Sequence, residues 1–360
     1  MNWIGLREAR TALFDTGGLA TPSARPGDLD ALMARGALMV DCAILPSLTE
    51  QTLLSYAAKT PWDTALSIAL SPEGVVILRH RVGRSQRTYR LDTGVKERAV
   101  SVTIVFNWDA PARRASLSAE FPDTGALAYR VLDAPLPPTL RDARRIMMDR
   151  RQCYLAPGVR FAAIATDQVP VGPLPSLDGQ TQVITQTGRR SIQSLRPGDL
   201  VQTATGSMAQ VRWTGAVTLP ARARFRPLRV KAPFYGALRD IDCAACQQIR
   251  FHHSAVDYLF DTRTVIARAG DLLEGLTPRL QPDQVLETYW HVLLDRPVPM
   301  QIHGVACESL NARDLLADPV LRSLSVLRNL PKELFPQDAG PAPLRLKHYE
   351  VRSLCESRAA

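Results

Sequence analysis

The feature that most constrains the fold is a series of short runs in which apolar and polar residues alternate, separated by turn signals. The run 66–70 (LSIAL) is followed by Ser-Pro-Glu-Gly at 71–74 and by an apolar run at 75–78. Alternation with a period of two is typical of half-buried strands, and Gly and Pro mark the turns between them. Related runs occupy 37–40, 51–54, 100–106 and 116–121. This spacing predicts an antiparallel β-sandwich whose 66–78 segment is a hairpin.

A helix and a proline-rich stretch divide the chain. Residues 140–152 (LRDARRIMMDRRQ) place charges on one side and Ile146 and Met147 on the other, which predicts an amphipathic helix. Three prolines within 165–175 favour an extended, semi-rigid backbone. We therefore predict an N-terminal sandwich with its flanking helix over 1–164, a linker over 165–175 and a second domain over 176–360. A chain of 360 residues is long enough for two domains.

Charge and hydropathy argue against two classes of partner. The net charge is +9, but only five of the 44 Lys and Arg residues are lysines, and the arginines are spread along the chain. Nucleic-acid-binding proteins cluster their basic groups on one face, so we predict no nucleic-acid partner. No apolar run approaches the roughly 18–20 residues of a membrane helix, and charges interrupt the first fifteen residues where a signal peptide is apolar. We predict no membrane span and a protein that is cytoplasmic or exported without a classical signal peptide.

The first half of the chain is similar to a known sandwich family. The similarity is carried by the runs at 34–45 (ARGALMVDCAIL), 52–57 (TLLSYA), 66–78 and 102–120. Together they resemble the concanavalin-like or laminin-G-like jelly roll. This resemblance implies a carbohydrate or protein ligand. Asp92, Asp109 and Asp123 stand beside turn signals, so we predict turn residues there rather than calcium ligands.

The second half holds a more specific set of blocks. In Leu195–Val201 (LRPGDLV), Pro197 fixes φ at the first central turn position, Gly198 accepts positive φ at the second, and Asp199 follows. The surrounding stretch 176–215 resembles the start of the bacterial Hint (hedgehog/intein) domain. Blocks that match the family in order follow at 226–231 (RPLRVK), 289–296 (YWHVLLDR), 308–309, 334–336 and 348–352. The resemblance covers roughly 176–352 and implies a mainly β domain with a short helical tail.

The chemistry that this resemblance implies is self-cleavage. A nucleophile at the first position attacks the preceding carbonyl, and a histidine helps the amine to leave. The matching positions here are Ser176 for the nucleophile, Pro175 for the attacked carbonyl and Thr181 for the family threonine. The histidine position falls on Gln247, or on Cys246 if one residue is deleted. A serine hydroxyl depends on a base more than a thiol does. The C-terminus carries no His-Asn followed by a nucleophile, so we expect no protein splicing.

These departures favour a Hint fold with a degenerate autoprocessing site in a binding or structural protein. The alternative is autoproteolysis at Pro175–Ser176 by an N-to-O acyl shift, with a base supplied from elsewhere in the fold. Candidates for that base are His252, His253 and His291. His291 stands in an apolar run, where a hydrogen-bonded core histidine is the favoured interpretation.

A short cysteine motif raises the question of a metal. Cys243 and Cys246 are spaced C-x-x-C, and His252 follows, so the three together could bind zinc. His252 and His253 would point to opposite faces of a strand, so only one could join the cysteines. The favoured interpretation is that both cysteines are small, mostly buried apolar residues and that the protein has no cofactor. The irregular spacing of the six cysteines does not suggest a disulfide framework.

Overall fold

The structure is a computed structural model that describes residues 1–21, 27–44, 47–95, 100–272, 274–279, 284–336 and 343–359. The chain divides into two compact units, Met1–Val169 and Pro170–Ala360. Both units are built mainly from antiparallel strand pairs, with one parallel pair in the C-terminal unit, and the mainly β fold predicted from the sequence is confirmed. No helix of the described segments is long and apolar enough to cross a membrane.

The N-terminal unit consists of antiparallel strands and a helix. Their bounds are β1 Trp3–Arg7, β2 Ala12–Phe14, β3 Arg35–Ile44, β4 Gln51–Ala58, β5 Thr64–Leu70, β6 Val75–Val82, β7 Ser85–Asp92, β8 Val100–Asp109, β9 Arg114–Phe121, β10 Ala126–Asp133, α1 Leu140–Met148, β11 Cys153–Leu155 and β12 Val159–Ala165. One sheet has the order β10-β9-β8-β3-β12-β1-β2, and the other has the order β11-β4-β5-β6-β7. The sheets enclose one core, to which β5 contributes Leu66 and Ile68 and β8 contributes Ile104 and Phe106.

The predicted hairpin over 66–78 is confirmed. β5 and β6 pair from Thr64 and Val82 to Leu70 and Val76. Gly74 closes the turn with φ +82°, a conformation that glycine adopts without strain. The other predicted runs also lie in strands, namely β3, β4, β8 and β9.

Two boundary predictions in this unit are wrong. The strand predicted over 100–106 is longer than that run, because β8 continues to Asp109. Trp108 is buried there, and its indole N–H donates to the Met33 carbonyl at 2.8 Å. The helix predicted to reach residue 152 ends at Met148, because the Asp149 carboxylate accepts from the backbone N–H of Arg151 and of Gln152.

The C-terminal unit is also mainly β. Its strands are β13 Leu177–Asp178, β14 Gln182–Thr185, β15 Gly188–Ser191, β16 Leu200–Gln202, β17 Met208–Pro220, β18 Pro227–Val230, β19 Ile241–Ala244, β20 Gln248–Phe251, β21 Val265–Arg268, β22 Leu276–Pro278, β23 Leu286–Leu294, β24 Met300–Ile302, β25 Val305–Cys307 and β26 Leu344–Arg345. Its helices are α2 Ser254–Phe260, α3 Arg313–Ala317, α4 Pro319–Leu324 and α5 His348–Ala359, and short 3-10 turns cover Ile192–Ser194, Ala223–Phe225, Phe234–Gly236, Ala269–Asp271 and Lys332–Leu334.

Two sheets organise this unit. One has the order β15-β14-β16-β17-β23-β13-β19-β18-β22, and the other has the order β24-β25-β20-β21-β26. Asp318 caps α4 through its carboxylate, with Pro319 as the first helical residue. The helix ends at Leu324, and Val320 on it is 46% exposed.

Candidate functional site

Ser176 directly precedes β13, the short strand in the middle of the nine-stranded sheet. The fully buried Leu177 anchors this strand, since it pairs with Cys243 of β19 on one side and with Trp290 of β23 on the other. The Ser176 carbonyl accepts the backbone N–H of Ala244 at 2.7 Å. The backbone of Ser176 is therefore held by its own bond to Ala244 and by the pairing of Leu177 with both neighbouring strands. Ser176 is only 5% exposed.

The Ser176 hydroxyl donates to the side-chain oxygen of Gln247 at 2.6 Å. Gln247 is 1% exposed, and its amide nitrogen donates to the backbone carbonyls of Gln248 at 2.7 Å and Glu308 at 3.4 Å. These two bonds turn the amide so that its oxygen faces the hydroxyl. An amide oxygen accepts a hydrogen bond but is not a base at neutral pH, so this contact holds the Ser176 proton rather than removing it.

His291 lies on β23, the strand that pairs with β13. Leu177 pairs with Trp290 and Asp178 pairs with Tyr289, so this antiparallel register, extended by one residue beyond β13, points to His291 as the residue opposite Ser176. His291 is 4% exposed, and burial lowers its pKa from 6.5 to about 4. The imidazole is therefore neutral at pH 7. Its Nδ1 atom is buried without a hydrogen-bond partner among the described residues, so the bond expected of a core histidine is not made at that atom.

Thr181 has a supporting place beside this strand. Its hydroxyl donates to the Asp242 carbonyl of β19 at 3.5 Å, and its backbone N–H donates to the Asp178 carbonyl at 3.0 Å. Thr181 itself is 7% exposed. These bonds close the turn after β13 and attach it to the strand that carries Ala244.

The Pro197–Asp199 segment forms a tight turn just before β16. Gly198 has φ +98°, and the Asp199 N–H donates to the Arg196 carbonyl at 3.1 Å. The Asp199 carboxylate accepts from the Arg196 N–H at 2.7 Å and from the Arg190 guanidinium at 3.0 Å. The turn thereby fixes the start of β16 and has a structural role.

The cysteine motif is not gathered into a metal site. Cys243 is buried in β19, Cys246 is partly exposed in the following turn, and His252 is exposed after β20. Burial raises the pKa of the Cys243 thiol well above its ordinary value, which opposes formation of the thiolate that binds zinc. Within the described segments, no three His, Cys, Asp or Glu residues are grouped to hold a metal ion.

Sequence reasoning missed an ion cluster beside β13. Arg279 pairs with Asp178 and also lies 3.3 Å from the Asp242 carboxylate. The Arg229 guanidinium donates two hydrogen bonds to the same Asp242 carboxylate, at 2.7 and 2.9 Å. The positive charges of the two arginines balance the negative charges of Asp178 and Asp242 beside β13. The partners are far apart in sequence, and strand pairing between β13, β19 and β18 brings them together, so no local motif could have indicated them.

Comparison with known proteins identifies the domain that carries this site. Residues 175–314 match the family model described as Hint domain. The C-terminal unit contains a Hint domain. The match begins one residue before Ser176, at the peptide bond that the resemblance implied. No curated protein matches the chain.

Solved structures with a similar arrangement are remote. The CBM40 of a Ruminococcus gnavus IT-sialidase, bound to alpha2,6 sialyllactose, has 18% identity and a TM-score of 0.29, with 47% of this chain and 92% of that chain covered. A toad ovary galectin complexed with thio-digalactose has 7% identity and a TM-score of 0.20, covering 36% of this chain and 82% of that chain. The NanB sialidase of Streptococcus pneumoniae has 11% identity and a TM-score of 0.28, covering 54% and 30%. Similarity at this level does not assign a ligand or an activity to this chain.

The domain thus begins with a contact between two polar side chains next to its first strand. Ser176 and Gln247 are 71 residues apart in sequence and in direct contact. Both are neutral, and Gln247 does not titrate. The histidine nearest in the strand register, His291, is buried in its neutral form.

Proposed function

We propose that this Hint domain does not cleave its own chain at Pro175–Ser176 and that the protein acts intact, as a binding or structural protein. The observation that carries the proposal is the 2.6 Å bond from the Ser176 hydroxyl to the Gln247 amide oxygen. The N-terminal sandwich unit is the proposed binding part, and carbohydrate and protein are the two ligand classes considered for it.

The acyl shift needs two proton transfers that Gln247 cannot make. The hydroxyl must lose its proton as it attacks the Pro175 carbonyl, and the amide nitrogen of Ser176 must gain one as it leaves. The Gln247 oxygen is not basic, and its NH₂ group already donates to the carbonyls of Gln248 and Glu308. The nearby thiol of Cys243 does not replace a histidine, since burial raises its pKa.

The test is the intact mass of the purified full-length chain after several hours at neutral pH, with and without hydroxylamine. We expect one mass in both conditions, equal to that of the uncleaved chain. Ser176→Ala is the matched control, and it should differ from the parent only by the mass of one oxygen. Two fragments that meet between Pro175 and Ser176, absent from Ser176→Ala, would refute the proposal.

One observation favours a second candidate function, autoproteolysis with His291 as the base. The β13–β23 register, extended by one residue, points to His291 as the residue opposite Ser176, and a neutral imidazole can accept a proton. This candidate predicts fragments in the parent chain that disappear in His291→Ala and in Ser176→Ala alike. Fragments that persist in His291→Ala would exclude this histidine as the base.

A further inference from the structure

The outer face of the five-stranded sheet in the N-terminal unit carries small side chains at its centre and long side chains beside them. Strand alternation sends Tyr56, Leu66 and Leu78 into the core. The intervening residues of β4 and β5 therefore point outward, and all four are small. They are Ser55, Ala57, Ala65 and Ser67.

Long side chains flank these small ones in the same cross-strand rows. Tyr154 of β11 pairs with Ser55, and Ser55 pairs with Ser67. Ser67 in turn pairs with Arg79 of β6. In the neighbouring row Arg81 stands opposite Ala65. The result is a trough whose floor is Ser55, Ala57, Ala65 and Ser67, with Tyr154 as one wall and Arg79 and Arg81 as the other.

The dimensions of the trough follow from the sheet. Tyr154 and Arg79 are three strand spacings apart, which corresponds to about 14 Å. Tyr154 is 52% exposed. The floor residues Ser55 and Ser67 are partly exposed, so solvent reaches the space between the walls.

Carboxylates hold both arginines of the wall. Glu50 accepts two bonds from Arg79, of 2.9 and 3.0 Å, and Asp63 accepts one from Arg81 at 2.9 Å. Glu50 precedes β4 and Asp63 precedes β5, and these strands are antiparallel, so the pairs occupy opposite ends of the trough. Each pair offers fixed N–H donors beside carboxylate acceptors, and the charges of each pair offset one another.

We infer that this trough binds an uncharged oligosaccharide, an inference that rests on the binding role proposed above. A sugar ring has an apolar C–H face that packs on an exposed aromatic side chain and hydroxyl groups that need donors and acceptors together. Tyr154 supplies the first, and the two Arg–carboxylate pairs with the floor serines supply the second. A floor of small residues leaves room for a flat ring. The balanced charges favour a neutral sugar over an acidic one.

The experiment titrates the intact full-length chain by calorimetry with neutral gluco- and galacto-oligosaccharides of two to four sugars, and separately with oligomers of galacturonic acid. We expect binding of at least one neutral probe and a loss of about tenfold or more in affinity on Tyr154→Ala. Ser67→Trp fills the floor with a residue that strands accept, and it should abolish binding. Tyr258→Ala is the matched control, because Tyr258 is an 88% exposed tyrosine of the other unit.

Several results would overturn the inference. These are an absence of binding by every neutral probe, binding confined to the acidic oligomers, and binding that survives both Tyr154→Ala and Ser67→Trp. Circular dichroism of both variants is the check that they are folded. The same samples are weighed by mass spectrometry, so a cleaved chain refutes the proposed function separately, whatever the sugar titration gives.

Discussion

His80 offers the sharpest test of the physical reasoning in the N-terminal unit. It lies on β6 with 1% exposure, and neither ring nitrogen has a hydrogen-bond partner among the described residues. Burial lowers its pKa from 6.5 to about 4, although the Asp142 carboxylate opposes the shift. The perturbation is His80→Leu, which replaces the imidazole by an apolar side chain.

The magnitude follows from proton linkage. Between pH 6.5 and pH 4 the unfolded chain binds a proton at residue 80 and the folded chain does not, so the free energy of unfolding falls as the pH is lowered. From pH 7.5 to 4.5 this loss amounts to about 2.5 kcal/mol. His80→Leu removes the loss. It should also raise stability at pH 7.5 by roughly 1–3 kcal/mol, because two unbonded buried nitrogens are deleted.

The assay is differential scanning calorimetry at pH 7.5 and 4.5, with hydrogen exchange of β5 and β6 peptides to assign the transition of the N-terminal unit. Exposed His252→Leu is the control and should leave the pH dependence of that transition unchanged. If His80→Leu and the parent chain lose the same stability between the two pH values, the imidazole is not held neutral in the core and the argument fails.

Three further predictions follow from single contacts. Gln247→His places a titrating ring beside Ser176, and if the missing base is what prevents cleavage, mass spectrometry should detect fragments that the parent does not give. Tyr56→Phe removes a buried 2.6 Å bond to Asp142 and should lower the free energy of unfolding by roughly 1.5–3 kcal/mol, with the midpoint of urea unfolding as the measure. Asp318→Ala removes the cap of α4 and should cost about 1 kcal/mol in the same urea measurement, and an unchanged midpoint would contradict the capping role.

A strand could be predicted from the sequence where the alternation of apolar and polar residues matches the alternation of its buried and exposed side chains. β5 and β6 carry both the alternation and a turn signal between them, so the hairpin could be predicted. β7 (SQRTYRLD) is mostly polar, and only Tyr89 and Leu91 are buried, so its strand character depends on pairing with β6. Likewise β12 (VRFAAIA) is buried along nearly its whole length and shows no alternation.

The contacts around Ser176 also depend on strand pairing that the local sequence does not reveal. Ser176 and Gln247 were singled out by matching family blocks, and their contact depends on β13 pairing with β19 across 66 residues of sequence. The pairing of β13 with β23, the strand of His291, and the ion pair of Arg279 with Asp178 both join residues that are about 100 or more positions apart in sequence. No single stretch of the sequence contains the information that sets that pairing.

The strand order of the seven-stranded sheet has a consequence for biosynthesis. β12, the last strand of the N-terminal unit, lies between β3 and β1 and pairs with both. During synthesis the sheet therefore lacks an inner strand until residue 165 has left the ribosome. A nascent chain interrupted before Val159 presents two open strand edges, on β1 and on β3, and such edges recruit other chains. Aggregation of the nascent chain should therefore be favoured by translation pauses that occur before β12 has been made. A chaperone that covers strand edges should reduce this aggregation most in that interval.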